Sequence, residues 1–149
     1  MTGMQSDSNV VNLGRRVVVG IDGTRGSRQA LQRALEVFGD DIDLTVVNVV
    51  GVNAFAAERR AQSRLLTNTT ERLGATGITV NALARQGDPG DVLVEVAADF
   101  DASALVVGSR GAYVYVAGRD DEARLGSVCL DVIARAACDV LVVKEKVGR

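Results

Sequence analysis

The chain of 149 residues has no histidine, no tryptophan, one proline, two cysteines and 3% aromatic residues, and each shortage closes off some chemistry. Without histidine there is no Ser-His-Asp or Cys-His pair, no imidazole base and no histidine-ligated zinc. Any catalysis would fall to carboxylates, Lys, Arg, Ser/Thr, backbone amides or a bound metal. The two cysteines, Cys129 and Cys138, form no CxxC and read as buried, reduced thiols used as small hydrophobes. No apolar run approaches membrane-spanning length, and residues 1–14, MTGMQSDSNVVNLG, lack the basic start and apolar stretch of a secretion signal. The expectation is a cytoplasmic protein with no membrane partner, a loose tail over residues 1–14 and one domain over residues 15–146. Its 17 basic and 19 acidic residues give a net charge of −2 with no block of five like charges, so nucleic acid is a poor candidate partner.

What is present is aliphatic. The chain is 47% hydrophobic, chiefly Val, Ala, Leu and Ile, which favours a valine-rich sheet covered by Ala/Leu helices. A domain of this size buries roughly 70% of its unfolded surface and needs no metal or disulfide to fold. RVVVGID at residues 16–22 reads as a strand buried on both faces. Thr24 caps a helix with the stripe Ala30, Leu31, Ala34, Leu35 and Phe38, and Gly39 stops it. DLTVVNVV at residues 43–50 is a second strand, followed by a helix over residues 54–73. ITVNALAR at residues 78–85 alternates as a half-exposed strand does. Asp88, Pro89 and Asp91 start a helix with Val92, Leu93, Val96, Ala97 and Phe100 on its buried side. Residues 104–108 are strand four. A last helix over residues 127–137 buries Val128, Cys129, Val132, Ile133 and Ala136 and pairs Asp131 with Arg135. Residues 139–144 close the chain as strand five. Strand and helix alternate throughout, which makes a single-domain α/β fold with a parallel sheet and right-handed crossovers.

In such a sheet, ligands bind beyond the carboxyl ends of the strands where strand order reverses. The loops there are Gly20-Ile21-Asp22-Gly23-Thr24, Asn48-Val49-Val50-Gly51, Gly108-Ser109-Arg110-Gly111 and Gly126-Ser127-Val128. Glycines let backbone amides approach phosphate oxygens, and the N-terminus of the last helix adds free N–H donors and about half a positive charge. Ser127 can cap that helix or give its hydroxyl to a phosphate. Asp22 has two readings: a carboxylate for ribose hydroxyls or a metal, or a cap for the turn into the first helix. A P-loop is excluded, because no G-x-x-x-x-G-K-[ST] occurs, and a G-x-G-x-x-G after strand one is also missing.

Four stretches together resemble the universal stress protein family: VVVGIDGTRGSRQAL (17–31), LTVVNVV (44–50), GDPGDVLVEVAADFDASALVVGSRG (87–111) and LGSVCLDVIARAACDVLVV (125–143). The resemblance implies an adenine nucleotide alpha hydrolase-like sheet of five parallel strands in the order 3-2-1-4-5, with helices on both faces. It implies ATP or AMP in the crevice between strands one and four. Asp22 would meet the ribose or a metal, and the backbone around Ile21 and Val49 would meet adenine. Gly108 and Gly111 match the first two glycines of a G-x2-G-x9-G-[ST] motif, Gly126 and Ser127 match its last pair, and Val128 follows on the helix.

Between Gly111 and Gly126 this chain has fourteen residues where the motif has nine, and the excess brings Tyr113, Tyr115, Gly118 and the acids Asp120, Asp121 and Glu122. A carboxylate about 4 Å from a phosphate charge costs on the order of 4 kcal/mol at an effective dielectric near 20. Three readings are therefore open: the acids project into water, they hold Mg²⁺ that also binds phosphate, or nucleotide binding is lost and the fold serves as a dimeric adaptor with an unknown protein partner. With no strong base in the crevice, the expected role is a nucleotide-binding stress-response regulator rather than an enzyme. Strand five, with Val140, Leu141, Val142 and Val143, is apolar on both faces and lies at an edge in the implied order, so a homodimer through that edge is expected.

Overall fold

The computed structural model describes residues 15–109 and 125–146. Five strands, β1 (Arg16–Gly20), β2 (Asp43–Val50), β3 (Val80–Gln86), β4 (Ala104–Gly108) and β5 (Asp139–Val143), alternate with four helices. These are α1 (Arg25–Phe38), α2 (Ala56–Gly74), α3 (Pro89–Asp99) and α4 (Ser127–Arg135). All strand pairings are parallel and the order is β3-β2-β1-β4-β5, the order that the family resemblance implies.

β1 sits at the centre because it has no polar face to offer water: Val17, Val18 and Val19 are each at most 1% exposed. It pairs with β2 on one side (Val18 opposite Thr45) and with β4 on the other (Val18 opposite Leu105). The chain first winds outward through α1 and α2, then returns and winds the other way through α3 and α4. Right-handed crossovers in opposite directions place the two helix pairs on opposite faces. Val17, Val19, Leu44, Val46 and Val106 accordingly pack with Ala30, Leu31, Ala34 and Leu66, while Val18, Val47, Leu105 and Val107 pack with Val92, Leu93, Val96, Cys129 and Val132.

Several boundaries differ from the sequence expectation, for local reasons. β1 ends at Gly20: Ile21 still donates to the Val47 carbonyl at 2.9 Å, and Asp22 then turns the chain. α2 begins at Ala56 because Ala54 is spent in a turn, its N–H on the Gly51 carbonyl at 3.1 Å. β3 is mostly exposed, as suits an edge strand that a helix covers on only part of each face. α4 ends at Arg135, where Ala136 is already extended (ψ 142°). Ile133, expected inside, is 46% exposed, and Cys138 is half-buried. Burial pushes both thiols above the ordinary cysteine value.

The two helices on the second face are clamped at one point. Arg135 Nη1 reaches Asp91 at 2.6 Å and Asp131 at 3.0 Å, and Asp88 caps α3 by accepting from the Asp91 N–H at 3.0 Å. The approach is so close that a Cβ on Gly90 would collide with the Asp131 carboxylate and come within 2.8 Å of its Cγ. Gly90→Ala should therefore lower stability by about 1–3 kcal/mol in urea unfolding, as overpacking does. Adding Asp131→Ala should return most of that loss, because the ion pair it removes is exposed and contributes little. The raised thiol values predict that alkylation of the native protein by iodoacetamide stays slow at pH 8 and becomes fast in denaturant. The same shift makes stability fall as pH rises through the unfolded thiol value near ~8.5, where only the unfolded chain ionises readily.

Candidate functional site

The order reversal between β1 and β4 leaves a crevice at the carboxyl ends of the strands, and four loop segments converge there. On the β1 side the turn is held by its own polar side chains. Asp22 Oδ1 accepts from the Thr24 N–H (3.0 Å) and the Thr24 hydroxyl (2.5 Å), and Thr24 Oγ1 accepts from the Ser27 N–H (3.2 Å), which caps α1. Ser27, 5% exposed, donates to the Thr24 carbonyl at 3.2 Å and accepts from the Asp22 N–H at 3.1 Å. Gly23 completes the turn at φ +85°, a conformation that costs other residues. Asp22 thus organises this turn through one oxygen, and the half-buried side chain stands at the lip of the crevice.

The β2 side is set by a buried amide pair. Asn48 Nδ2 donates to the Ile21 carbonyl at 2.7 Å, and Gln62 Nε2, from α2, reaches the carbonyls of Asn48 (2.9 Å) and Arg85 (3.1 Å). Both side chains are 7% exposed. They tie together the ends of β1, β2, β3 and α2. In a parallel ladder, alternate residues aim N–H and C=O to the same side. The Val47 carbonyl faces β1, where it accepts from Ile21, and the Val50 carbonyl faces β3, where it accepts from Gly87 at 2.8 Å. Val49 therefore aims its N–H and C=O toward β1 but above the last paired residues, Gly20 and Val47. One donor and one acceptor open onto the crevice at that height, whereas Ile21 has its N–H and one carbonyl lone pair already engaged.

On the β4 side, Ser109 is 6% exposed, and its N–H donates to the Val143 carbonyl at 2.8 Å while its carbonyl accepts from the Gly126 N–H at 2.7 Å. Gly108 and Gly126 are thereby held at the mouth of the crevice. Gly126, not Ser127, is the N-cap of α4, so Ser127 is the first helical residue and its exposed hydroxyl makes no capping bond. Side-chain oxygens cap α1 (Thr24) and α3 (Asp88), while on α2 Glu58 turns back to accept from the N–H of the N-cap residue Phe55 at 2.8 Å and no side chain caps the first turn. Among the described residues, no side-chain oxygen caps the start of α4. Gly111, Arg110, Tyr113, Tyr115, Gly118, Arg119, Asp120, Asp121 and Glu122 lie outside the described residues.

Two contributors escaped the sequence reading. Gln62 is visible in hindsight as a polar residue on the buried stripe Gln62-Leu66-Thr69-Leu73 of α2, and Ser27 occupies an equivalent place on α1. Among the described residues, three carboxylates lie close enough to share a cation, Asp88, Asp91 and Asp131, with ligand atoms within 4.8 Å of one another. Arg135 already supplies a positive charge to two of them.

The fold and the loops define a doubly wound α/β protein whose switch-point crevice offers backbone donors and an uncapped helix N-terminus. The chain belongs to the universal stress protein family, whose model matches residues 14–144. It is 32% identical over 146 residues to universal stress protein Rv1636 of Mycobacterium tuberculosis, which covers 87% of this chain and 95% of that protein. Among solved structures, a universal stress protein in complex with cAMP is 28% identical at a TM-score of 0.69, over 89% of this chain and 98% of its own. UspA from Lactobacillus plantarum superposes at a TM-score of 0.72 over 87% of this chain and 97% of its own, at 17% identity, a likeness of fold. No helix among the described residues is long and apolar enough to cross a membrane.

The Asn48 and Gln62 pair yields a stability test. Asn48→Leu removes the amide that donates to the Ile21 carbonyl and leaves that carbonyl short of a partner in a buried setting, so unfolding free energy should drop by about 1–3 kcal/mol in urea titration. A loss below about 0.5 kcal/mol would mean that water replaces the amide there.

Proposed function

We propose that the protein binds an adenine nucleotide, ATP or AMP, in the crevice between β1 and β4 and acts through that binding as a cytoplasmic stress-response regulator, with no robust catalysis of its own. The observation that carries this reading is the start of α4. Thr24 and Asp88 satisfy N–H groups at the starts of α1 and α3 with side-chain oxygens, whereas among the described residues no side chain caps α4, the helix that opens onto the switch point. An anion is the natural partner for such a helix end. In this reading the phosphate sits on the N–H groups of Ser127 and Val128 with Gly108, Gly111 and Gly126 around it, the ribose lies by Asp22, and the base lies beside Ile21 and Val49. Val49 matches an adenine edge, since its N–H suits N1 and its carbonyl suits the N6 amino group. The cAMP-bound relative, at 28% identity, supports an adenine nucleotide with a single phosphate as well. No carboxylate cluster described at the crevice serves Mg²⁺, so the metal, if it takes part, would arrive on the phosphates of ATP.

The reading extends to a homodimer through the β5 edge. Val140, Leu141, Val142 and Val143 stay half-buried at the end of the sheet, and α4, which packs on the same strand, exposes Leu130 (53%) and Ile133 (46%). An unpaired edge beside exposed aliphatic side chains is what a second copy would cover.

Three measurements test these points. Denaturing freshly purified protein should release AMP, cyclic AMP or ATP detectable by mass spectrometry, and adding the same nucleotides should raise the melting temperature, with about 2.7 kcal/mol of stabilisation at a hundredfold excess over Kd. Silence in both assays sinks the nucleotide reading and leaves the adaptor. Ser127→Glu should keep or raise the melting temperature, because a carboxylate suits a helix start, yet cost at least about tenfold in AMP affinity through repulsion of the phosphate. In light scattering the wild type should be a dimer at micromolar concentration and Ile133→Glu should shift it toward monomer; a wild-type monomer refutes the edge-to-edge assembly.

A further inference from the structure

Charge is not evenly spread over this acidic chain. Between Gly51 and Gln86 stand five arginines, Arg59, Arg60, Arg64, Arg72 and Arg85, against Glu58 and Glu71, which is a local +3 in a protein of net charge −2 and leaves −5 for the remainder. The geometry of α2 concentrates three of them. Arg59, Arg60 and Arg64, with Ala56 and Ser63, line a shallow recess of ≈ 470 Å³ on the outer side of α2. Gln62, Leu66, Thr69 and Leu73 form the opposite, buried stripe of the same helix.

A solvated helix face is the bland explanation, and the ion pairing argues against it. Among the described residues, charges elsewhere are interleaved: Arg16 with Asp43, Arg25 with Glu145, Arg33 with Glu36, and Arg135 with Asp91 and Asp131. On α2, Arg60 and Arg64 stand at the i, i+4 spacing where like charges destabilise a helix, and Glu58 of the same helix turns one oxygen back to the Phe55 N–H at 2.8 Å. Arg59 holds the Ala54 carbonyl at 2.6 Å, which fixes its stem and leaves its other donors outward. At the foot of this face, Phe55 is 77% exposed and Val52 68%. Arg59 stacks one turn above Phe55, its N–H on the Phe55 carbonyl at 3.1 Å.

We propose that the arginine face of α2, with Phe55 and Val52 at its foot, is a docking surface for an acidic segment of a partner protein that carries aliphatic side chains between its carboxylates. Arginine forks match carboxylates in paired hydrogen bonds, and exposed aromatic and arginine side chains together form the anchors of protein interfaces. Charge complementarity selects an acidic occupant. Nucleic acid fits less well, because the patch spans little more than two helical turns and the other charges of the chain sum to −5. The surface lies on the β2–β3 side of the sheet, apart from the nucleotide crevice.

The test uses the full chain and fluorescence anisotropy with a fluorescein-labelled peptide in which glutamates alternate with leucines. Saturable binding at low salt is expected, weakened at least about tenfold by Arg60→Glu with Arg64→Glu, and likewise by raising salt well beyond physiological strength. Arg33→Glu, an exposed reversal on α1, should leave it unchanged. The double variant should melt within about 2 °C of the wild type and bind AMP as the wild type does, since both side chains are exposed and outside the crevice. A peptide with serine in place of leucine, and Phe55→Ser with the original peptide, should both bind at least about fivefold more weakly. The proposal is overturned if the wild type ignores the peptide, if the charge-reversed variant binds it equally, if the serine peptide binds as tightly, or if a uridine-rich RNA of equal charge binds better.

Discussion

Everything in this molecule hangs on a five-residue strand that has to be apolar on both faces and hydrogen-bonded on both edges. Val17, Val18 and Val19 meet that demand, paired with β2 on one side and β4 on the other. Because the chain leaves β1 in one direction and returns to it from the other, the helices divide between two faces and the loops above β1 and β4 part. The crevice is a consequence of that division. A backbone that must stop pairing at Gly20 while β2 runs on to Val50 necessarily leaves Val49 with an unshared peptide edge, and that edge opens where the loops part.

The physical logic of helix starts runs through the same region. The first N–H groups of a helix are met by side-chain oxygens, by water or by a ligand, and a helix start near the carboxyl end of a parallel sheet can offer them to an anion. Thr24 and Asp88 provide oxygens for two helices, and the first of these depends on Asp22, whose Oδ1 holds both the N–H and the hydroxyl of Thr24. Asp22 is thereby committed to the local turn whatever else it meets, which favours the capping side of its two sequence readings without removing the other. α4 starts on a glycine, and the hydrogen bond from the Gly126 N–H to the Ser109 carbonyl fixes that start against the end of β4.

The elements were readable where periodicity and punctuation agreed. The valine run of β1, the Thr24 cap with Gly39, and Asp88-Pro89 all carry local signals, and the four family stretches supplied the strand order that periodicity alone does not contain. The misses share one cause, which is that burial depends on neighbours. Ile133 sits at a helical position that looks internal by spacing, yet α4 lies at the margin of the sheet with β5 as its last strand, so none of the described residues covers that turn. Gln62 failed in the opposite way: a polar residue on an apolar stripe looks like noise until Asn48 and Arg85 are seen to offer their carbonyls to it. Of the two roles open to Ser127, capping α4 or giving its hydroxyl to a phosphate, the first falls to Gly126, which takes the extended conformation one residue earlier.

The two sheet edges have opposite characters. At the β5 edge the exposed surface is aliphatic, with half-buried valines and the side chains of Leu130 and Ile133. At the β3 edge it is basic, with Arg85 on the strand and Arg59, Arg60 and Arg64 on the helix that covers it. An apolar edge suits a permanent contact, and a charged one suits a partner that comes and goes. With the order β3-β2-β1-β4-β5, a dimer joined at β5 would turn both arginine faces outward to its two ends. Such an arrangement engages a partner with two acidic segments far more strongly than either face alone, provided the linker between the segments spans the dimer. The crevice lies between the two edges, at β1 and β4, and is joined to the arginine-bearing helix by the Asn48–Gln62 link and by Leu66, which packs in the same core cluster as Ile21. Through these two contacts, one polar and one apolar, occupancy at β1 could reach the arginine-bearing helix.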